Sequence, residues 1–326
     1  MRVALLAALL ALGCAHLALE PKPGAEPWLA WQAPLGRDDA LAGRIYDTRA
    51  RRFISADEAA ARAAGADFVL LGEKHDNPDH HRLQAWLIRE LARAGRRPAV
   101  VFEMIPRDRA GALAAALDAD PRDPDALAAA LDWSQSGWPP FELYRPVFDV
   151  ALSEQLPIVP GDLARAELAR LRHGGVAGIA PAERERLALE PPPSAEARRA
   201  LADEVREAHC GMAPDAMVDA MIEVQRARDA SLADALLASA GRDGAVLVAG
   251  AGHARRDRGA PLYLARRAPG KSVLSLAFLE VPADPAELDA SFDLVWFTPR
   301  VDDHDPCERF REELEKMRAP KPAPQA

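Results

Sequence analysis

The chain has 326 residues, 49% hydrophobic and 28% charged, enough for one large α/β domain or a core domain with a smaller lid, and not a disordered or fibrous composition. Its 41 basic against 50 acidic residues leave a net charge of -9, which argues against a general nucleic-acid binder and a polybasic membrane-surface protein. Charge alone names no partner.

The opening MRVALLAALLALGCAHLALE has one arginine and an apolar run from Val3 to Leu12. That run is too short to cross a bilayer, so residues 1–13 read as a secretory signal peptide. Gly13-Cys14 directly after it resembles a bacterial lipobox, in which the cysteine is lipidated and becomes the first residue of the mature protein. Ala11 stands where leucine is usual, and ordinary signal-peptidase cleavage nearby is the alternative. By the same resemblance, Ala15 after the cysteine points to the outer membrane, with the protein facing the periplasm. Residues 14–37 are Pro-rich and aperiodic and read as a tether, 38–310 as the folded domain, and 311–326, ending PKPAPQA, as a tail. With Cys14 carrying lipid, Cys210 and Cys307 remain as an even pair in an oxidising space, and a disulfide between them is expected. Free or metal-binding thiols are the alternative.

Ile45 to Asp47 and Arg52 to Ile54 suit a hairpin, and Asp57 to Ala64 a helix. Asp67 to Gly72 (DFVLLG) is a short apolar run of buried-strand length, and Asn77 then begins a helix, with Pro78 at its first position and Asp79 at the positive end of its dipole. His80 shares the apolar stripe of Leu83, Leu87 and Leu91, and that helix ends near Gly95. Further strand-like runs follow at Ala99 to Phe102, Pro157 to Pro160, Ala245 to Ala249, Val273 to Val281 and Leu294 to Phe297. Helical stretches such as Ser194 to Ala208 and Ala216 to Ala238 separate most of them, and 107–240 reads as a mainly helical insertion with one clear strand. Continuously apolar strands alternating with helices predict an α/β fold, a central mostly parallel sheet flanked by helices on both faces.

Several of these strands end in ionisable residues. FVLLG leads to Glu73, His75 and Asp76, AVVF to Glu103, PIVPG to Asp162, and VLVAG to His253, Arg255, Arg256 and Asp257. In a parallel sheet those ends share one edge, where open α/β sheets place their ligand crevice. His75 and His253 each follow a strand and a glycine, and with Glu103 they supply two nitrogen donors and a carboxylate. That set suits a divalent metal, general acid–base work or the polar edge of a cofactor, and spacing does not choose among them. A first-turn histidine such as His80 stays neutral and offers a lone pair, with a packing role as the alternative. The aromatic segment from Trp133 to Tyr144 suits a flat apolar ligand or a lid, or else core packing. Arg228 in VQRARD falls near the buried side of its helix, where a charge needs a partner such as Glu103, Asp162 or a bound carboxylate.

LLGEKHDNPDHH, FEMIPR, the segment from Trp133 to Tyr144, AHCGMAP, VQRARDASLA, VAGAGHARRDRGAPLYL and VWFTPRVDDHDPC, in this order, resemble the ChaN-like haem-binding lipoproteins. The resemblance implies a parallel-dominated sheet flanked by helices, haem bound at a dimer interface and a role in iron acquisition. It extends to the erythromycin esterases and Tiki metalloproteases, whose site histidines and glutamate match His75, Glu103 and His253. With no CxxCH motif, haem would be held non-covalently by a His or Tyr axial ligand and by arginines on its propionates. The candidate ligands are His75, His80, His253 and Tyr144, with Arg228, Arg255 and Arg256 for the propionates and Glu73 and Asp76 beside them. The leading expectation is a lipid-anchored haem-binding protein. The alternatives are a hydrolase, metal-dependent or His/Glu-based, using His75, Glu103 and His253, and a lipoprotein whose crevice binds only a small anion.

Overall fold

A computed structural model describes residues 26–311 except 287, 289, 290, 306, 309 and 310. The expected signal peptide (1–13), Cys14, the expected tether up to residue 25 and the expected tail from 312 lie outside the described residues. The described strands are β1 (Ile45–Asp47), β2 (Arg52–Ile54), β3 (Phe68–Glu73), β4 (Ala99–Pro106), β5 (Ile158–Asp162), β6 (Ala245–Gly250), β7 (Val273–Glu280) and β8 (Leu294–Thr298). They form one sheet in the order β2-β1-β8-β7-β3-β6-β4-β5. Pairing is parallel from β8 through β5, and the β1–β2 hairpin joins β8 antiparallel, giving the mostly parallel sheet expected.

The helices are α1 (Ala56–Ala64), α2 (Pro78–Arg93), α3 (Ala110–Ala119), α4 (Pro124–Ala130), α5 (Phe141–Ser153), α6 (Arg165–Gly174), α7 (Pro181–Arg186), α8 (Ala195–Ala208), α9 (Asp215–Ser239), α10 (Ala251–Ala254) and α11 (Ala260–Arg267). Side chains alternate across a strand, so β3 sends Val69 and Leu71 to one face and Phe68 and Leu70 to the other. The first face packs on Leu83, Leu87 and Leu91 of α2 and Val147 and Phe148 of α5. The second packs on Ala227, Ala230 and Leu236 of α9 and Leu264 of α11. Both faces are therefore covered, which is why these strands are apolar throughout rather than alternating.

Three local readings change. Residues 27–37, read as tether, pack on the domain: Asp79, buried in the first turn of α2, accepts the N–H groups of Gln32 and Ala33 at 2.8–3.0 Å. Trp28 packs on Trp86 and Trp296 at ring distances of 5.1 and 5.3 Å. Glu73 and Glu103 lie within β3 and β4 rather than on the loops after them. Their carboxylates find partners on neighbouring elements, so the strands continue through them, and the β4–β5 register slips between Phe102 and Pro106, around Glu103. Such irregularities re-aim a side chain beside a site.

Cys210 and Cys307 are disulfide-bonded with Cα atoms 5.5 Å apart, as expected of the pair. The bond fastens the turn after α8 to the C-terminal segment.

Candidate functional site

The neighbouring strands β3, β6, β4 and β5 bring their carboxyl ends to one edge, and two hydrogen-bonded networks meet there. In the first, Glu73 is buried at the end of β3. His75 donates from Nδ1 to Glu73 Oε1 at 2.9 Å, and the Tyr144 hydroxyl from α5 donates to the same oxygen at 3.1 Å. His81 Nδ1 lies 3.0 Å from the other oxygen, Glu73 Oε2. The ring nitrogens of His81 face only acceptors, Glu73 Oε2, the Gln84 side-chain oxygen and the His75 carbonyl, so both carry protons. Burial opposes that charge, but the Glu73 carboxylate outweighs it and holds His81 above its ordinary value. Burial likewise opposes ionisation of Glu73, and His81 and His75 overcome it to hold the carboxyl well below the carboxylate range.

The second network joins β4, β5, α9 and α10. His253 Nδ1 donates to Asp229 Oδ1 at 2.6 Å and its Nε2 lies 3.3 Å from Glu103 Oε1. Arg228 donates to Glu103 Oε1 at 2.7 Å and to both oxygens of Asp162 at 2.9–3.1 Å. Burial disfavours charge on His253, but Glu103 and Asp229 push it up to about 10. Burial lifts Asp229 to about 6 against the pull of His253 and Arg228. The resident proton therefore stays on the imidazole. Gly250 separates the two networks. Its N–H donates to Glu103 Oε2 at 2.7 Å, and a Cβ there would stand 3.0 Å from His75 Nε2, so any larger residue would push the imidazole aside.

These contacts decide what each histidine offers. Nδ1 of His75 is anchored on Glu73, which orients Nε2 as the nitrogen left for a ligand. The His75 side chain is 34% exposed and lies edge-on to Trp138 at 4.9 Å, whereas the His253 side chain is 8% exposed. Trp138 opens onto a crevice of about 300 Å³ walled by Met104, Leu168, Val224, Asp162 and Arg228.

His75, Glu103 and His253 thus converge as the sequence suggests, with Glu73, Asp162 and Arg228. The divalent-metal assignment of His75, Glu103 and His253 does not hold: among the described residues no His, Cys, Asp and Glu groups are arranged to hold a metal ion. The physical reason is that the Arg228 guanidinium already occupies the cation position at Glu103 and Asp229 holds His253 Nδ1.

Five other candidates fall elsewhere or are already engaged. His80 is buried away from the crevice, accepting the Lys74 N–H on Nδ1 at 2.9 Å and donating from Nε2 to Thr298 Oγ1 at 2.8 Å. Burial pushes it down to about 3, so it is a neutral packing histidine. Tyr144 is fully buried, and burial with the Glu73 charge raises its phenol far above the ordinary value, which keeps it neutral. Arg255 pairs with Asp257 and Ser291, and Arg256 with Asp293, on the β7–β8 side. Asp76 stays near the surface beside Lys74 at 3.5 Å.

Asp229 and His81 belong to the networks without having been singled out. Asp229 follows Arg228 and lies three residues before Leu232 on a helix, a spacing that marks the buried side. For His81 the sequence carries no comparable signal.

An α/β sheet whose carboxyl edge carries two imidazoles, each anchored by a buried carboxylate, beside a crevice lined by Trp138 defines a small-ligand or acid–base site. The family model for haem-binding uptake proteins, ChaN, of the Tiki superfamily matches residues 59–264, and the chain belongs to that family. Among solved structures the chain is similar to one described as cofacial heme binding to ChaN of Campylobacter jejuni. They share 22% identity and a TM-score of 0.64, over 77% of this chain and 95% of that one. Lesser likenesses are to the type III effector HopBA1 (14% identity, 75% and 93% covered, TM-score 0.43) and to an erythromycin esterase mutant, EreC, in its open conformation (16% identity, 75% and 80% covered, TM-score 0.41). A comparison with curated proteins finds no match.

Proposed function

We propose that this protein binds haem non-covalently in the crevice beside His75 and serves haem or iron handling from a lipid anchor on Cys14, facing the periplasm at the outer membrane. The family is described as haem-binding, and the relative in Campylobacter jejuni is described with haem. The observation that carries the reading here is His75, whose Nδ1 is fixed by a buried carboxylate while its imidazole edge lies exposed against Trp138. Burial lowers His75, but Glu73 and Glu103 outweigh it and raise the imidazole above its ordinary value, so iron would take the Nε2 position by displacing a proton, while the indole with Met104, Leu168 and Val224 offers an apolar wall to a porphyrin. Bound haem would supply the iron chemistry; the chain's own groups orient His75 and limit water.

Titrating purified protein with hemin should give a saturable Soret band that His75→Ala weakens about a hundredfold or more, and that His80→Ala leaves in place. A wild-type protein with no saturable band sinks the reading. Mass spectrometry of membrane-extracted protein should show a diacylated Cys14 that Cys14→Ala abolishes, and light scattering with and without hemin tests a homodimer.

The paired His–carboxylate dyads also favour a second reading, a hydrolase in which His75 Nε2 takes a proton from water and protonated His253 gives one to a leaving group. Ester turnover independent of hemin and lost in His253→Gln would support it.

A further inference from the structure

The crevice has a charge pattern that the two networks leave unused. On its inner wall the cation is already matched: Arg228 is held by Glu103 and Asp162. A ligand carboxylate placed there would meet two resident carboxylates with no spare positive charge. At the mouth the balance reverses. Arg165 and Arg172 of α6 line the crevice, and among the described residues neither meets an acidic side chain within ion-pair distance. By contrast Arg107, on the neighbouring surface, is bound by Glu167 and Glu183 at 2.6 Å.

The local sequence explains the placement. Arg165, Leu168 and Arg172 are spaced by three and four residues, which puts them on one stripe of α6. Leu168 lines the same crevice. The stripe therefore presents cation, apolar side chain, cation over about 10 Å of helix at 1.5 Å per residue. That pattern suits an amphiphile with an apolar body and two carboxylates, bound body inward and acids outward. Arginine suits the task because its planar fork takes a carboxylate through two hydrogen bonds.

We propose that Arg165 and Arg172 form a dicarboxylate clamp at the crevice mouth and take the two propionates of the porphyrin, replacing Arg228, Arg255 and Arg256 in that role. The inference rests on the haem reading of the crevice, and its test separates the two.

Hemin and hemin dimethyl ester, whose carboxylates are blocked, are titrated in the same dilute detergent against wild-type protein, Arg165→Gln/Arg172→Gln and Arg165→Lys/Arg172→Lys. Binding is read by the Soret band and by quenching of tryptophan fluorescence. The Gln variant should bind hemin about a hundredfold more weakly, roughly tenfold per arginine, which is about 1.4 kcal/mol each. The Lys variant should recover most of the loss, and all three proteins should bind the ester alike. Both side chains are exposed, so melting temperatures should coincide. Equal hemin affinity in wild type and the Gln variant overturns the clamp and leaves the haem reading standing. If wild type binds neither hemin nor its ester, the haem reading falls and the clamp with it.

Discussion

His75 and His253 stand on either side of Gly250, and each sets Nδ1 against a buried carboxylate, yet their surroundings give them opposite roles. His75 keeps an exposed edge and a partner, Glu73, whose charge is shared with His81 and Tyr144. His253 is enclosed, protonated, and part of a five-member array with Glu103, Arg228, Asp162 and Asp229. An anchored imidazole is open to a ligand only where part of its ring stays accessible, while a saturated array offers rigidity. The same dyad geometry therefore reads as a ligand position on one side and as a framework or proton source on the other.

Removing a member of the enclosed array gives the largest expected effect. Glu103→Ala leaves Arg228 and His253 facing each other with one carboxylate fewer in a buried space, and should destabilise the fold by about 3–5 kcal/mol in urea denaturation. His75→Ala, at the half-open position, should cost under about 1 kcal/mol while removing haem affinity. Equal stability losses for the two would break the distinction drawn between the networks.

This contrast also marks how far the sequence reaches. The apolar runs located the buried strands, and the glycine before each histidine marked the sheet edge, because strand burial and tight turns leave local composition signals. The partner that each charged side chain meets leaves none. Arg255 and Arg256 looked as available as Arg228, but their partners Asp257, Ser291 and Asp293 are supplied by a local turn and the β7–β8 loop. The packing of residues 27–37 on the domain was hidden because it depends on Asp79 receiving two distant backbone N–H groups.

A middle-sized effect comes from two adjacent histidines on α2. His80 is depressed to about 3 from 6.5, so as pH falls below 6.5 the unfolded chain takes its proton first. Its contribution to stability is complete above pH 6.5 and declines by about 1.4 kcal/mol per pH unit down to about pH 3. His81, raised above 6.5, works in the opposite sense: its contribution is present below pH 6.5 and is lost as pH rises through its folded value. Denaturation midpoints of wild type, His80→Gln and His81→Gln between pH 4 and 9, on the order of one measurement per half unit, check both slopes. A His80→Gln variant that keeps the full acid sensitivity would remove this residue from the account.

The smallest change tests the assignment within the open network itself. Tyr144→Phe removes one donor to Glu73 Oε1 and leaves His75 and His81 on that carboxylate, so the expected loss is about 1 kcal/mol. Because the phenol is buried and held neutral, its removal should leave the hemin Soret band and its half-saturation point where they were. A variant that folds as stably as this but no longer forms the band would put the iron on Tyr144 instead. Glu73 would then have to give up the Tyr144 hydroxyl, and His75 would become the group that the carboxylate merely positions.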